Sequence, residues 1–520
     1  MRLEYAQMTN DPARSGRSET EPDTRSTLRK LSIGPVLPWL AILFLGSVAL
    51  GAWFLIGPSL NGTRYYKVGY NRTAYGYSRQ IVLLFVPYAL VLLAWRRGRR
   101  VPLWVLLGGA AVLHLLVLFA PLPQSQDLYQ YLFYGRMQAV HGANPFTVNP
   151  STLWADPWFP WIRWNTQPSV YGPAWILFAF GVVKAAGNNL AQAFIGLKLA
   201  ILLLDGAIVW LILALAKDRP DPARARGWGV LAYAWNPLVL ITVPLAGSAD
   251  VAVAAGLLGA ILARRRGRGG IATVLLVVAS LIKVYAVVGL VLHLVLLLKE
   301  RGRTRAAVHA GAAVGLVAVA FAPYWAGLAT FQGLFNMARM RNQSFMGSLE
   351  RLVIRPLLVV FGYSTPTRGS QLLGRAIAGI LLAVTLVWAI RKVRDEDSLW
   401  FGVLGVLTVY LVVSPWFLYW YILGPLALLA VLPHNRLTYP ILIFSGTALI
   451  SLYLTPIRLL LTVQSLARYG PPILLFGILG WLGRETARNH RGTSFRLEES
   501  IPSPAPAPSS AVAGRAPAAK

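Results

Sequence analysis

Residues 190–216 read LAQAFIGLKLAILLLDGAIVWLILALA. Coiled into a helix, this stretch is about 40 Å long, enough to cross the roughly 30 Å hydrocarbon core of a bilayer. It carries two charges, Lys198 and Asp205, whose spacing places both on one helical face. Charges at membrane depth turn inward and pair, so the two are expected to form a buried structural pair. The basic residues Lys217, Arg219, Arg224 and Arg226 follow at once.

This pattern recurs in both directions. Apolar runs of 16 to 27 residues lie between Leu37 and Gly483, separated by basic clusters such as Arg96–Arg100, Arg264–Arg268, Lys299–Arg305 and Arg391–Arg394. Hydrophobic residues form 56% of the chain and charged residues 13%, against about a quarter charged in soluble proteins. The fold class expected is therefore all-α, a polytopic transmembrane bundle of about 13–14 membrane helices. The net charge of +30 is spread over the short clusters, as the positive-inside rule requires, and gives no reason to expect nucleic acid. Those clusters place both termini in the cytoplasm and the chain in the cell membrane. Residues 1–35 and 485–520 are polar and read as disordered tails, flanking a membrane domain over 36–484.

Two details of register carry predictions. Three apolar runs lie between Arg96–Arg100 and Lys217–Arg226, so one must fail to cross, and 171–186 is expected to lie at the outer interface. Residues 270–298 leave and return to the cytoplasm within a short hairpin, with Lys283 near its apex. Long outer loops follow over 122–170 and 328–371, and loops of this length usually carry function.

The chain has no cysteine, which removes disulfides, thiolate nucleophiles and cysteine-held metals. Of its 19 acidic residues, only Asp127, Asp156, Asp205, Asp250 and Glu350 are placed in or outside the membrane. Asp127 opens an aromatic stretch, Asp127-Leu-Tyr-Gln-Tyr131-Leu-Phe-Tyr-Gly-Arg136, with the spacing of an interfacial helix. Taken alone, Asp127 is as readily the cap of that helix as a base. Asp395-Glu396-Asp397 matches the D-x-D of nucleotide-sugar enzymes, but sits in a loop of a few residues between spans.

The order of motifs adds to this reading. Asp127-Leu-Tyr-Gln-Tyr131, Gly135-Arg136 and Gly142-Ala-Asn144-Pro-Phe146 are followed by Asp156-Pro-Trp158 and Tyr171-Gly-Pro-Ala-Trp175. Further on stand Asn236-Pro237, Ala246-Gly-Ser-Ala-Asp250, Ile282-Lys283 and Pro415-Trp416-Phe417. Together these resemble GT-C glycosyltransferases, most closely the polyprenol-phosphate-mannose-dependent α-mannosyltransferases of actinobacteria. The sequence departs from the family at Gly247-Ser-Ala-Asp250, where a His-Asn-Asp is usual, and at Phe417, where Tyr is usual.

The resemblance implies inverting transfer of mannose from a polyprenyl-phosphate donor to a hydroxyl of a glycan or glycolipid, with Asp127 as general base. Arg136, Arg163, Lys283, Arg339 and Arg341 are the cations considered for the leaving phosphate. Tyr131, Asn144, Asp156, Tyr171, Asp250 and Trp416 are candidates for the acceptor pocket. Trp154, Trp158, Trp161 and Trp164 are expected to form an interfacial belt. No cofactor is called for, and a divalent metal is left open. The partners implied are the lipid-linked sugar, its acceptor and membrane lipids. The rival class is a secondary transporter or lipid flippase, in which Lys198, Asp205 and Lys283 would form a midplane site.

Overall fold

A computed structural model describes residues 84–86, 88–98, 100–118, 127–339, 354–362, 367–414, 416–453 and 469–473. The expected first span, 37–57, lies outside these residues, as do Arg341, Glu350 and both tails. Among the described residues the architecture is all helical, with no strand. The helices are α1 (Leu103–Leu118), α2 (Asp127–Ala139), α3 (Pro173–Ala186), α4 (Leu190–Leu215), α5 (Pro222–Ala232), α6 (Pro237–Leu240), α7 (Asp250–Arg265) and α8 (Gly269–Ile282). After them come α9 (Val287–Phe321), α10 (Gln332–Arg339), α11 (Arg355–Val360), α12 (Thr367–Lys392), α13 (Glu396–Val413), α14 (Leu423–Val431) and α15 (Thr438–Tyr453).

The stretch 190–216 forms α4, started by Asn189, whose side chain accepts from the Gln192 amide. Leu197, Ile201, Asp205, Ile208 and Ile212 are buried at helical spacing, while Leu203 and Trp210 are exposed. That is the distribution of a helix with one face in the bundle and one against lipid. Stretches of spanning length and apolarity are Leu190–Asp218, Val284–Tyr324, Gly369–Lys392 and Glu396–Val413, joined by the broken pair Pro222–Ala232 and Pro237–Leu245, bent by 52°.

The Val284–Tyr324 stretch is two arms rather than one rod. Gly302, inside the basic cluster, has φ 82° and ψ 175°. His293 and His309 have ring centroids 6.1 Å apart and both meet the Thr273 hydroxyl. In a straight helix the residues between them would rise about 24 Å, so the chain folds back at Gly302. The expected reversal at Lys299–Arg305 is met by this turn.

The expected Lys198–Asp205 pair does not form. The Asp205 carboxylate accepts from Tyr233 at 2.9 Å and lies 3.0 Å from His114 Nε2. Lys198 instead donates to the Leu118 carbonyl at the end of α1. Helical spacing aligned the two residues on one face, but neighbouring helices supplied nearer partners to each.

Asp395 and its neighbours are also structural. Asp395 caps α13 in a reciprocal box with Ser398, and Glu396 faces Arg265 at 3.5 Å. Arg264 pairs with Glu300 at 3.0 Å. This basic end of α7 lies a full helix length from Asp250, which opens it.

Candidate active site

Helix α2 is held against the bundle by a close approach and by a lashed loop. At Gly135 an added Cβ would sit 2.6 Å from the Ala179 carbonyl carbon, so only glycine lets α2 touch the backbone of α3. Gln130 exchanges two hydrogen bonds with the Trp164 backbone, at 2.9 and 3.3 Å. Tyr134 donates to the Gln167 carbonyl at 3.0 Å. Segment 162–169 is thereby strapped along α2, and α10 docks on it through Asn336, which donates to Gln167 at 2.9 Å.

The second half of the site arrives through a bend. Asn236 is fully buried, starts α6 by accepting from the Leu238 amide, and donates to Ser445 at 3.1 Å. The helix then widens into a π-turn over Ile241–Leu245 around Pro244, as expected where proline removes a donor. Gly247 follows at φ +66°, and a Cβ there would lie 2.4 Å from Leu128 Cδ2. Both the left-handed backbone and the contact require glycine. The turn delivers Ser248–Asp250 against the first turn of α2, where the Ala249 amide donates to Tyr131 Oη at 3.4 Å.

The third contribution comes from the hairpin of α8 and the first arm of α9. Lys283, at its apex as the sequence predicts, leaves α8 in an extended conformation. The Gly172 amide donates to the Ile282 carbonyl at 3.0 Å, which brings Tyr171 beside it. The result is a buried constellation. Asp127 accepts from Tyr171 at 3.3 Å. Asp250 accepts from Lys283 at 2.5 Å, from Tyr285 at 2.5 Å and from Ser248 at 2.8 Å. The Lys283 ammonium lies 5.5 Å from the Tyr171 ring and 4.7 Å from the Tyr421 ring. Tyr131 meets Tyr171 edge-on at 4.8 Å.

Asp127 is 8% exposed. Burial pushes its carboxyl up to about 6, against the opposing pull of Lys283 and the Tyr171 hydroxyl; Asp250 pushes further up and exposed Arg163 down. Such a group is ionised at neutral pH yet basic enough to accept a proton in a reaction.

The remaining candidates are placed differently. Arg136 is buried and bonds Asp156 at 2.7 and 2.9 Å and Asn188 at 3.0 Å, with Trp158 4.4 Å beneath it. Asp156 also bonds His141 at 2.6 Å and the Trp158 amide at 2.8 Å. Burial alone would push the Asp156 carboxyl up, but these donors outweigh it and hold it below the usual range. Arg136 and Asp156, expected at the phosphate and the acceptor, thus form a lock inside the first loop. Asn144 bridges that loop to the Tyr324 carbonyl at 2.9 Å. Trp158 is buried within the lock rather than in a belt, whereas Trp154 is exposed. Trp416 packs on Trp164 at 5.6 Å. Arg339 closes α10.

Sequence reasoning missed Tyr285, Tyr410 and Tyr421. The rings of Tyr410 and Tyr421 lie 5.7 and 6.0 Å from that of Tyr285. Each stands in an apolar run and was indistinguishable from core; the only signal was Tyr285's place beside the break at Lys283. Among the described residues no group of three or more His, Asp or Glu could hold a metal ion.

Asp127, Asp250 and Lys283 thus converge in the order and context of the motifs quoted from the sequence. Comparison with known proteins falls on the same segment. Residues 39–299, half of the chain, match the family described as alpha-(1->6)-mannopyranosyltransferase, N-terminal domain. Alpha-(1->6)-mannopyranosyltransferase A of Mycobacterium tuberculosis is 29% identical over 396 residues, covering 70% of this chain and 73% of that protein. A probable alpha-(1->6)-mannopyranosyltransferase of Mycolicibacterium smegmatis is 25% identical over 367 residues, 62% of this chain and 64% of the relative. With a helical membrane bundle, a buried carboxylate at the head of its first-loop helix and a match spanning all three contributing segments, the chain belongs to the alpha-(1->6)-mannopyranosyltransferase family.

Proposed function

We propose that the protein transfers mannose from a polyprenyl-phosphate donor to a hydroxyl of a glycan or glycolipid at the outer face of the cell membrane. The α-(1->6) linkage named for its relatives is the product linkage expected. The observation that carries this reading is Asp127, a buried carboxyl bonded to Tyr171, whose ring lies beside the Lys283 ammonium.

In this scheme the acceptor oxygen attacks C1 of the sugar from the face opposite the phosphate. The bond from C1 to the phosphate oxygen breaks as the new glycosidic bond forms, and the electron pair leaves with polyprenyl phosphate. Asp127 takes the hydroxyl proton as this happens, a contribution of about 10²–10⁴-fold. Lys283 meets the charge that stays on the phosphate. Tyr171 bonds Asp127 at 3.3 Å and carries its ring beside Lys283, which sets the base and the cation in fixed relation.

The donor class is tested with purified protein. Polyprenyl-phosphate-mannose should support transfer with no nucleotide sugar present. Turnover from GDP-mannose after all lipid carriers have been removed would contradict the assignment.

A further inference from the structure

Helices α7 and α8 form a hairpin joined by residues 266–268, so the start of α7 and the end of α8 meet. Asp250 stands at the first of these ends and Lys283 just past the second. Each charge lies at the helix end whose dipole favours it. The Asp250 carboxylate has no solvent exposure, and its oxygens are given to Lys283, Ser248 and Tyr285 at 2.5–2.8 Å. An ionised carboxylate offers about four acceptor sites, and three of these are taken by protein donors. Asp250 is therefore poorly placed to receive a substrate proton. Lys283 differs: its side chain keeps 10% exposure, and an ammonium has three donors, of which Asp250 takes one. Two tyrosine rings flank the rest, and one of them, Tyr171, also bonds Asp127.

We propose that Asp250, with Ser248 and Tyr285, is a positioning residue that fixes the Lys283 ammonium beside Asp127, where it receives the phosphate of the lipid-linked donor. This rests on the donor reading above and deepens it. A flexible lysine stem left unheld would meet the phosphate from many geometries. The carboxylate and the two rings hold the ammonium in one place.

The competing role is a latch that only closes the hairpin. A latch is disrupted by removing one partner, because the other is left buried and uncompensated, and is relieved when both are replaced by groups of similar size. Asp250→Asn, Lys283→Arg and the double variant Asp250→Asn/Lys283→Met are compared with wild type. The readouts are detergent-stable yield, binding of a short-chain polyprenyl monophosphate, and donor KM. The Asn oxygen can still accept from Tyr285 and its NH2 can donate to the Ser248 hydroxyl oxygen, so Asp250→Asn should fold while its Kd for polyprenyl phosphate and its donor KM rise about tenfold or more. Lys283→Arg should retain more binding than the double variant. The double variant should recover any lost yield and still bind poorly. Asp127→Asn should show the opposite split, with Kd unchanged and turnover lost.

A double variant that folds and binds polyprenyl phosphate like wild type would reduce the pair to a latch and overturn the proposal. So would an Asp250→Asn protein with wild-type Kd and KM, and that result would leave the donor reading standing. Wild-type protein that fails to bind polyprenyl phosphate overturns the donor reading and this inference with it.

Discussion

Asp127 has the right residue type in a place that two different needs could explain. At the first turn of α2 a carboxylate favours the helix dipole, yet a cap needs no burial, and this side chain is 8% exposed among Tyr171, Lys283 and Asp250. Burial favours the neutral form and pushes the carboxyl up to about 6. A base must be ionised to act, so kcat/KM should be flat above pH 6 and fall about tenfold per unit below it. A profile that stays flat to pH 4 would show that no group with this titration is needed. The residue type was legible in the sequence, but the partners were not. Lys198 and Asp205 were aligned by spacing on their own helix, while His114 and Tyr233, the partners Asp205 adopts, come from helices that no periodicity connects to α4.

At the level of elements, the helices were readable from apolar length, and the Lys283 apex from the shortness of 270–298. What the sequence could not supply was the path of irregular backbone. The first loop has little periodicity, so nothing indicated that Asp156 returns to Arg136 or that Trp158 packs beneath it. The two side chains keep 6% and 1% exposure, and breaking a buried pair by removing one partner costs about 3–5 kcal/mol. Asp156→Asn and Arg136→Met should therefore lower thermal stability in detergent substantially. Protein that stays folded at low temperature should bind the donor with near-normal affinity. If Arg136→Met instead leaves stability unchanged and weakens donor binding tenfold or more, Arg136 belongs to the phosphate site.

For the whole molecule, α7 runs from Asp250 at one end of the bundle to Arg264 and Arg265 at the other. We propose, from the basic clusters, that this second end is cytoplasmic, and on that reading the constellation lies at the outer face. The absence of native cysteine makes this accessible to single-cysteine labelling with a membrane-impermeant maleimide in intact cells. Trp154→Cys, at an exposed first-loop position, should label, and Arg266→Cys should label only after permeabilisation. The reverse pattern would invert the topology and exclude a donor presented from the outer leaflet. The bundle itself was legible because a bilayer forces each span to be long and apolar. The site was legible only as separate motifs, since its three segments meet through the turn at Gly247 and the break at Lys283.

The central claim is that Asp127 removes the acceptor's proton, and Asp127→Asn measures it most directly. Asn keeps the size and much of the capping ability but cannot accept the proton at neutral pH. The account predicts near-normal membrane abundance and polyprenyl-phosphate binding, with single-turnover transfer reduced about 10²-fold or more. Transfer within a few-fold of wild type, with Asp127→Ala losing folded protein instead, would contradict it and leave Asp127 a helix cap.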